Sequence, residues 1–187
     1  MLKKILPLFL IQTCLISGLY ADSGTRRLQS LGFKMPLSTV SAPSLSAYLD
    51  NEKLELTDTD RVTILYFWST SVPPSLTDLS GLNELNLAFS TEELTVAAVN
   101  LNEDASLARK AAKEAGMEGE IYLFPDPRQL KPYIHKTVPA AYILDKNGNI
   151  AASHQGNTLW SHPDIHRTLR ELIQADPLLE EQSVPRP

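Results

Sequence analysis

The sequence predicts an α/β fold, with a central mixed β-sheet flanked by helices. Three observations carry this. Val62-Thr63-Ile64-Leu65-Tyr66-Phe67-Trp68 is a continuous β-branched and aromatic run, the pattern of a strand buried on both faces inside a sheet. Strand-like and helix-periodic segments alternate after it, an order that lets helices cover both faces of the sheet. Finally, Asp145-Lys146-Asn147-Gly148-Asn149 separates two apolar segments. Asn-Gly tolerates the positive φ angles of a tight turn, so an antiparallel hairpin closes the sheet.

The elements follow in order. Residues 22–44 are a polar-leaning lead-in, and Leu45 to Leu56 holds short apolar segments suited to an early strand or hairpin. After the Val62–Trp68 strand, Ser69 to Pro74 is a turn. A helix is expected from Ser75 to Phe89, where Leu76, Leu79, Leu82 and Leu85 recur near helical spacing. Leu94 to Asn100 is the next strand. Asn102 is placed to cap a helix over Glu103 to Ala115, with Gly116 as its stop. Ile121 to Phe124 is a short strand, and Pro125-Asp126-Pro127 turns the chain. Val138 to Leu144 and Ile150 to Ser153 flank the hairpin turn. The last helix spans Pro163 to Ala175, with proline in its first turn, where the missing N–H costs nothing. The domain is thus expected over 45–175, followed by a polar, disordered tail at 176–187.

A chain of 187 residues, 43% of them hydrophobic, is enough for one domain with its own core and short for two. Lys3 and Lys4, the apolar stretch Ile5 to Leu19 and the small Ala21 form the three-part layout of a secretory signal, with cleavage expected after Ala21. An uncleaved anchor helix is the alternative reading of the same stretch. Lipidation of Cys14 is another, although Ile11-Gln12-Thr13 fits a lipid-attachment signal poorly. Either would tie the protein to a membrane. Cys14 is the chain's one cysteine, so a protein cut after Ala21 has none and forms no disulfide even in an oxidising compartment. The formal charge is -5; loss of Lys3 and Lys4 from 17 basic residues leaves 15 against 22 acidic, near -7. No basic cluster suited to phosphates remains, which argues against nucleic acid as a partner.

Trp68-Ser69-Thr70-Ser71-Val72-Pro73-Pro74-Ser75 is the informative segment. A strand ending in Phe-Trp, then a Pro-Pro turn and a helix, resembles the thioredoxin superfamily. It is most similar to the exported TlpA/ResA-type branch, with its Phe-Trp-Ala-Thr-Trp-Cys-Pro-Pro-Cys. Downstream, Thr137-Val138-Pro139-Ala140-Ala141-Tyr142-Ile143-Leu144-Asp145-Lys146-Asn147-Gly148-Asn149-Ile150 resembles the family's Gly-Val-Pro-Thr-Thr-Phe-Leu-Ile-Asp-Lys-Asp-Gly-Lys-Ile. The resemblance covers roughly Leu45 to Ile173 and implies a thioredoxin fold with a cis Val138–Pro139 bond facing the former dithiol site.

The departures bear on function. By the resemblance, Val72 and Ser75 stand at the two cysteine positions. Dithiol exchange needs an attacking thiolate and a resolving thiol, and neither residue supplies one. The resemblance also sets Tyr66 at the position of thioredoxin's buried carboxylate, which varies among TlpA-like proteins and is no evidence of loss by itself. No catalytic residue is therefore expected, nor any cofactor or metal. The resemblance implies instead a groove for an extended protein or peptide ligand, lined by Trp68, Val72, Pro73, Val138 and Pro139. The expected function is a redox-inactive binding, assembly or chaperone-like module of the bacterial periplasm or cell envelope. Two alternatives stand beside it: an oxidoreductase-family protein with a residual or borrowed redox role, and a purely structural envelope protein whose termini fill the groove.

Other candidates are weaker. Ser69, Ser71 and Ser75 cluster near a helix start, and a nucleophilic serine there would need a base such as His135. Capping and turn-filling explain these serines more simply. His162 and His166 lie four apart, the spacing that puts two imidazoles on one helix face. A metal site needs a third ligand, so exposed histidines at a helix start are the simpler reading.

Overall fold

The computed structural model describes residues 24, 26–57, 60–101, 104–124, 126–134 and 138–175. The segment 1–21 with Cys14, the Asn102 cap, His135 and the tail at 176–187 lie outside these residues.

Strand β3 (Val62–Trp68) lies in the interior of the sheet, and all seven of its residues are buried. β4 (Leu94–Leu101) and β5 (Ile121–Phe124) follow it in parallel on one side. β6 (Ala140–Leu144) and β7 (Ile150–Gln155) add antiparallel on the other. The early apolar segment is a hairpin of β1 (Ser46–Leu49) and β2 (Glu52–Glu55), turned by Asp50 and Asn51 at positive φ. The mixed sheet runs β2-β1-β5-β4-β3-β6-β7.

The helix expected from Ser75 starts two residues earlier and is interrupted. Helix α1 (Pro73–Thr77) begins on a proline, whose fixed φ suits a first turn, and α2 (Leu79–Ala88) follows after Asp78. Helix α3 (Ala105–Glu114) is capped by Asp104 rather than Asn102: the Asp104 carboxylate accepts from the Ser106 and Leu107 N–H groups at 2.9 and 3.1 Å. Gly116 ends it at φ +85°. The turn after β5 contains a short helix, α4 (Pro127–Leu130), and α5 (Pro163–Gln174) closes the chain.

Helices cover the sheet unevenly. Right-handed crossovers from β3 to β4 and from β4 to β5 step in one direction along the sheet, so α2 and α3 fall on the same face. There Leu79, Leu82 and Leu85 of α2, Ala108 and Ala112 of α3, and Ile165 and Leu169 of α5 pack with Val62, Ile64, Tyr66 and Trp68. Each fully buried leucine or isoleucine adds about 1.5–3 kcal/mol. The opposite face buries Leu65 and Phe67 under Leu45, Leu56, Leu130 and Tyr133.

The lead-in belongs to this packing. Residues 26–30 are helical, Leu28 and Phe33 enter the core, and Arg27 donates to the Glu171 carboxylate. Lys34 and Ser153 exchange two backbone hydrogen bonds of 2.8 Å, and Val40 accepts from the Ile150 N–H. The segment thereby covers the β7 edge, whereas the charged residues Glu52, Lys53 and Glu55 guard the β2 edge.

Candidate functional site

The loop after β3 is held by its own side chains. Ser75, which the sequence resemblance sets at the resolving-cysteine position, is fully buried. Its hydroxyl oxygen lies 2.8 Å from the Ser69 carbonyl and 2.7 Å from the Val72 carbonyl, and accepts from the Ser69 N–H at 3.2 Å. All of its partners are backbone groups, so no base touches this serine, and it staples the turn. Ser69 and Ser71 pair through their hydroxyls at 2.7 Å. The N-cap of α1 is Val72, with no side-chain cap, so the serines fill the turn without capping the helix.

A second layer supports α1, which is too short to satisfy its own carbonyls. The Tyr66 hydroxyl donates to the Ser75 carbonyl at 2.8 Å. Burial, reinforced by the Asp78 carboxylate, pushes the Tyr66 phenol far above its ordinary pKa and keeps it a donor. The Asn157 amide donates to the Pro74 carbonyl, to Thr77 Oγ1 at 2.9 Å and to Asp78 Oδ1 at 2.7 Å. Asp78 Oδ2 accepts from the Thr158 N–H at 3.2 Å and the Trp160 indole at 3.3 Å. The sequence reading passed over Asp78, Asn157 and Trp160. The one local signal was an acidic residue inside the apolar stripe of Leu76, Leu79 and Leu82.

The five expected groove residues divide. Trp68 does not line a surface. It is 0% exposed, because strand alternation puts it with Val62, Ile64 and Tyr66 in the helix-covered core, and its indole N–H has no partner among the described residues. Val72 is half-buried and packs against the opposite-face cluster, to which Val138 also belongs. Pro73 is exposed. Val138 is 8% exposed and Pro139 is buried, and the peptide bond between them is cis. The Pro139 carbonyl is engaged by the Gly156 N–H at 2.8 Å. The accessible surface of the site is therefore Val72 and Pro73, with Thr70, Ser71 and Pro74 beside them.

The histidines of α5 have structural partners. His162 Nδ1 accepts from the Asp164 N–H at 3.2 Å and caps the helix, while His166 stacks on Phe89 with ring centroids 5.8 Å apart. Burial, then the neighbouring Arg170 charge, lowers the His166 pKa.

Comparison with known proteins agrees with this architecture. No family model matches the chain. It is 26% identical over 108 residues to the thiol-disulfide oxidoreductase ResA of Geobacillus kaustophilus, covering 58% of this chain and 61% of that protein. It is also 26% identical over 103 residues to ResA of Geobacillus thermodenitrificans, covering 54% and 59%. The chain thus spans about three fifths of the curated relatives it matches. Among solved structures, the thioredoxin domain of a thiol-disulfide oxidoreductase from Bacteroides vulgatus superposes with a TM-score of 0.62 at 18% identity, covering 74% of this chain and all of that one. At that identity the likeness shows the fold alone: the chain has the thioredoxin fold. Its relatives in sequence are thiol-disulfide oxidoreductases of that superfamily, whereas this chain has a single cysteine and no Cys-x-x-Cys pair.

Proposed function

We propose that this protein is a redox-inactive, thioredoxin-like module of the bacterial cell envelope that binds an extended polypeptide beside the Val72–Ser75 loop. The observation that carries this reading is the state of Ser75. A residue at the resolving position that is buried and fully bonded to backbone holds a surface in shape and offers no reagent. Val72, at the attacking position, contributes an apolar contact where a relative with cysteines would form a mixed disulfide. The ligand would lie across Val72 and Pro73, and its apolar side chains would gain from burial there.

Export is part of the proposal and is supported by the Lys3–Lys4, apolar and Ala21 pattern. Mass spectrometry of the native protein should find Asp22 at the N-terminus. An intact Met1 or a lipidated Cys14 would contradict cleavage there.

Two measurements test the function. In insulin reduction with dithiothreitol, the protein starting at Asp22 should not exceed the uncatalysed rate; turnover above it would refute redox inactivity. On an array of unstructured peptides, the wild type should retain apolar sequences and Val72→Glu should lose them. Equal retention by both would remove the groove reading.

A further inference from the structure

The lead-in touches the residues that hold the site loop. Phe33 is 3% exposed, and its ring meets two partners: His154 at a centroid distance of 4.9 Å and Trp160 at 6.0 Å, edge to face. Both lead toward α1. His154 Nε2 is 3.0 Å from the Asn157 carbonyl oxygen, and the Asn157 amide bonds to the Pro74 carbonyl. The Trp160 indole bonds to Asp78 and stands edge to face with Tyr66, whose hydroxyl bonds to the Ser75 carbonyl. Trp160 sits so close to α2 that a Cβ on Gly81 would lie 3.1 Å from its own Cβ. Trp160 is thus held at its Cβ by Gly81 and at its ring by Tyr66 and Phe33.

We propose that the 26–44 segment is a strap that positions the site loop, with Phe33 as its positioning residue, acting through Trp160 and Asp78. An aromatic ring that merely filled the core would have no particular link to α1. Phe33 instead contacts His154, which bonds to Asn157, and Trp160, which bonds to Asp78. The strap is fixed at that point by the paired backbone bonds of Lys34 and Ser153, and again where Val40 meets Ile150. Between these anchors Leu37 is fully exposed. Phe33 lies beside the Lys34 anchor, with Leu28 in the core and Arg27 on Glu171 before it, so its ring is held in place against His154 and Trp160. Its importance for ligand capture rests on the binding reading above, whereas the positioning itself does not.

Amide hydrogen exchange on the purified full chain tests this. Phe33→Leu keeps an apolar filler and removes the ring contacts; Phe33→Ala removes both. Either should speed exchange at Ser75, Leu76, Thr77 and Thr158 by about tenfold, with Val96 to Val99 of β4 unchanged. Val40→Ala, which leaves its backbone bond in place, should alter none of these. Should Phe33→Ala fail to fold, Phe33→Leu carries the test. Unchanged loop exchange in a folded variant, or equal acceleration throughout the sheet, would overturn the strap. Combined with Asp78→Asn, Phe33→Leu should add little to the loop exchange of Asp78→Asn alone; full additivity would overturn the route through Asp78. A loop that loosens in a protein that retains no peptide leaves the strap standing and removes only the binding reading.

Discussion

Tyr66 and Ser75 are joined by a hydrogen bond of 2.8 Å from the phenol to the peptide carbonyl, which ties the middle of α1 to the central strand. In a loop without thiols, the shape rests on bonds of this kind. Tyr66→Phe removes one and should cost about 1 kcal/mol in urea unfolding. Because burial and Asp78 hold the phenol protonated, wild type and Tyr66→Phe should show the same tyrosinate absorbance between about pH 9 and 11, where an ordinary tyrosine ionises. A full extra phenolate in the wild type would contradict the buried geometry.

Ser75→Ala should destabilise the protein more. It removes the donor to the Ser69 and Val72 carbonyls and an acceptor from the Ser69 N–H. Leaving buried groups short of partners costs about 1–3 kcal/mol. Denaturant unfolding measures this, and a neutral result would mean that the serine does not staple the turn.

Glu55 supplies a pH-dependent contribution. Burial alone would raise its pKa, but hydrogen bonds from Thr57 Oγ1 at 2.6 Å, the Leu45 N–H at 2.7 Å and the Ser44 and Ser46 hydroxyls outweigh it and lower the value. A carboxyl with a lowered folded pKa stabilises above its unfolded pKa of about 4.3 and loses that contribution as pH falls through the folded value. The Tm deficit of Glu55→Gln should therefore be largest near neutral pH and shrink below about pH 4. A deficit that grew on acidification would have the wrong sign.

Much of the fold was legible because its signals are local. The Val62–Trp68 run became the buried central strand, and Asn147-Gly148 became the hairpin turn, with Gly148 at φ +72°. The β3 alternation also held a signal that resemblance obscured. Trp68 shares its parity with Val62, Ile64 and Tyr66, so it belonged with the core rather than with a groove. The rest of the site was not local. Asp78 meets Asn157 and Trp160 across about eighty residues of chain, and nothing in the periodicity of α2 or the 154–160 loop announces that partnership. Phe33 was hidden likewise, inside a segment whose polar composition read as a lead-in.

If the site has lost its thiols and kept its frame, restoring two sulfurs should restore the chemistry. Val72 is the N-cap of α1 and Ser75 its third residue, bonded N–H to carbonyl at 2.8 Å, so one helical turn separates them. That spacing falls within the Cα separation a disulfide accepts, about 4.4–6.8 Å. Sulfur is larger than a hydroxyl oxygen and a weaker donor, so Ser75→Cys gives up part of the staple and the turn must widen slightly around it, while Val72→Cys places the attacking thiol at the half-exposed position. The Val72→Cys, Ser75→Cys protein should form an intramolecular disulfide on oxidation and reduce insulin above background when recycled by dithiothreitol. Val72→Cys alone should form mixed disulfides with a cysteine-bearing peptide and turn over far more slowly, having no resolving thiol. A double variant that forms its disulfide yet reduces no insulin would show that the frame has departed further than two side chains. In that case the groove reading would lose its structural basis along with the chemistry.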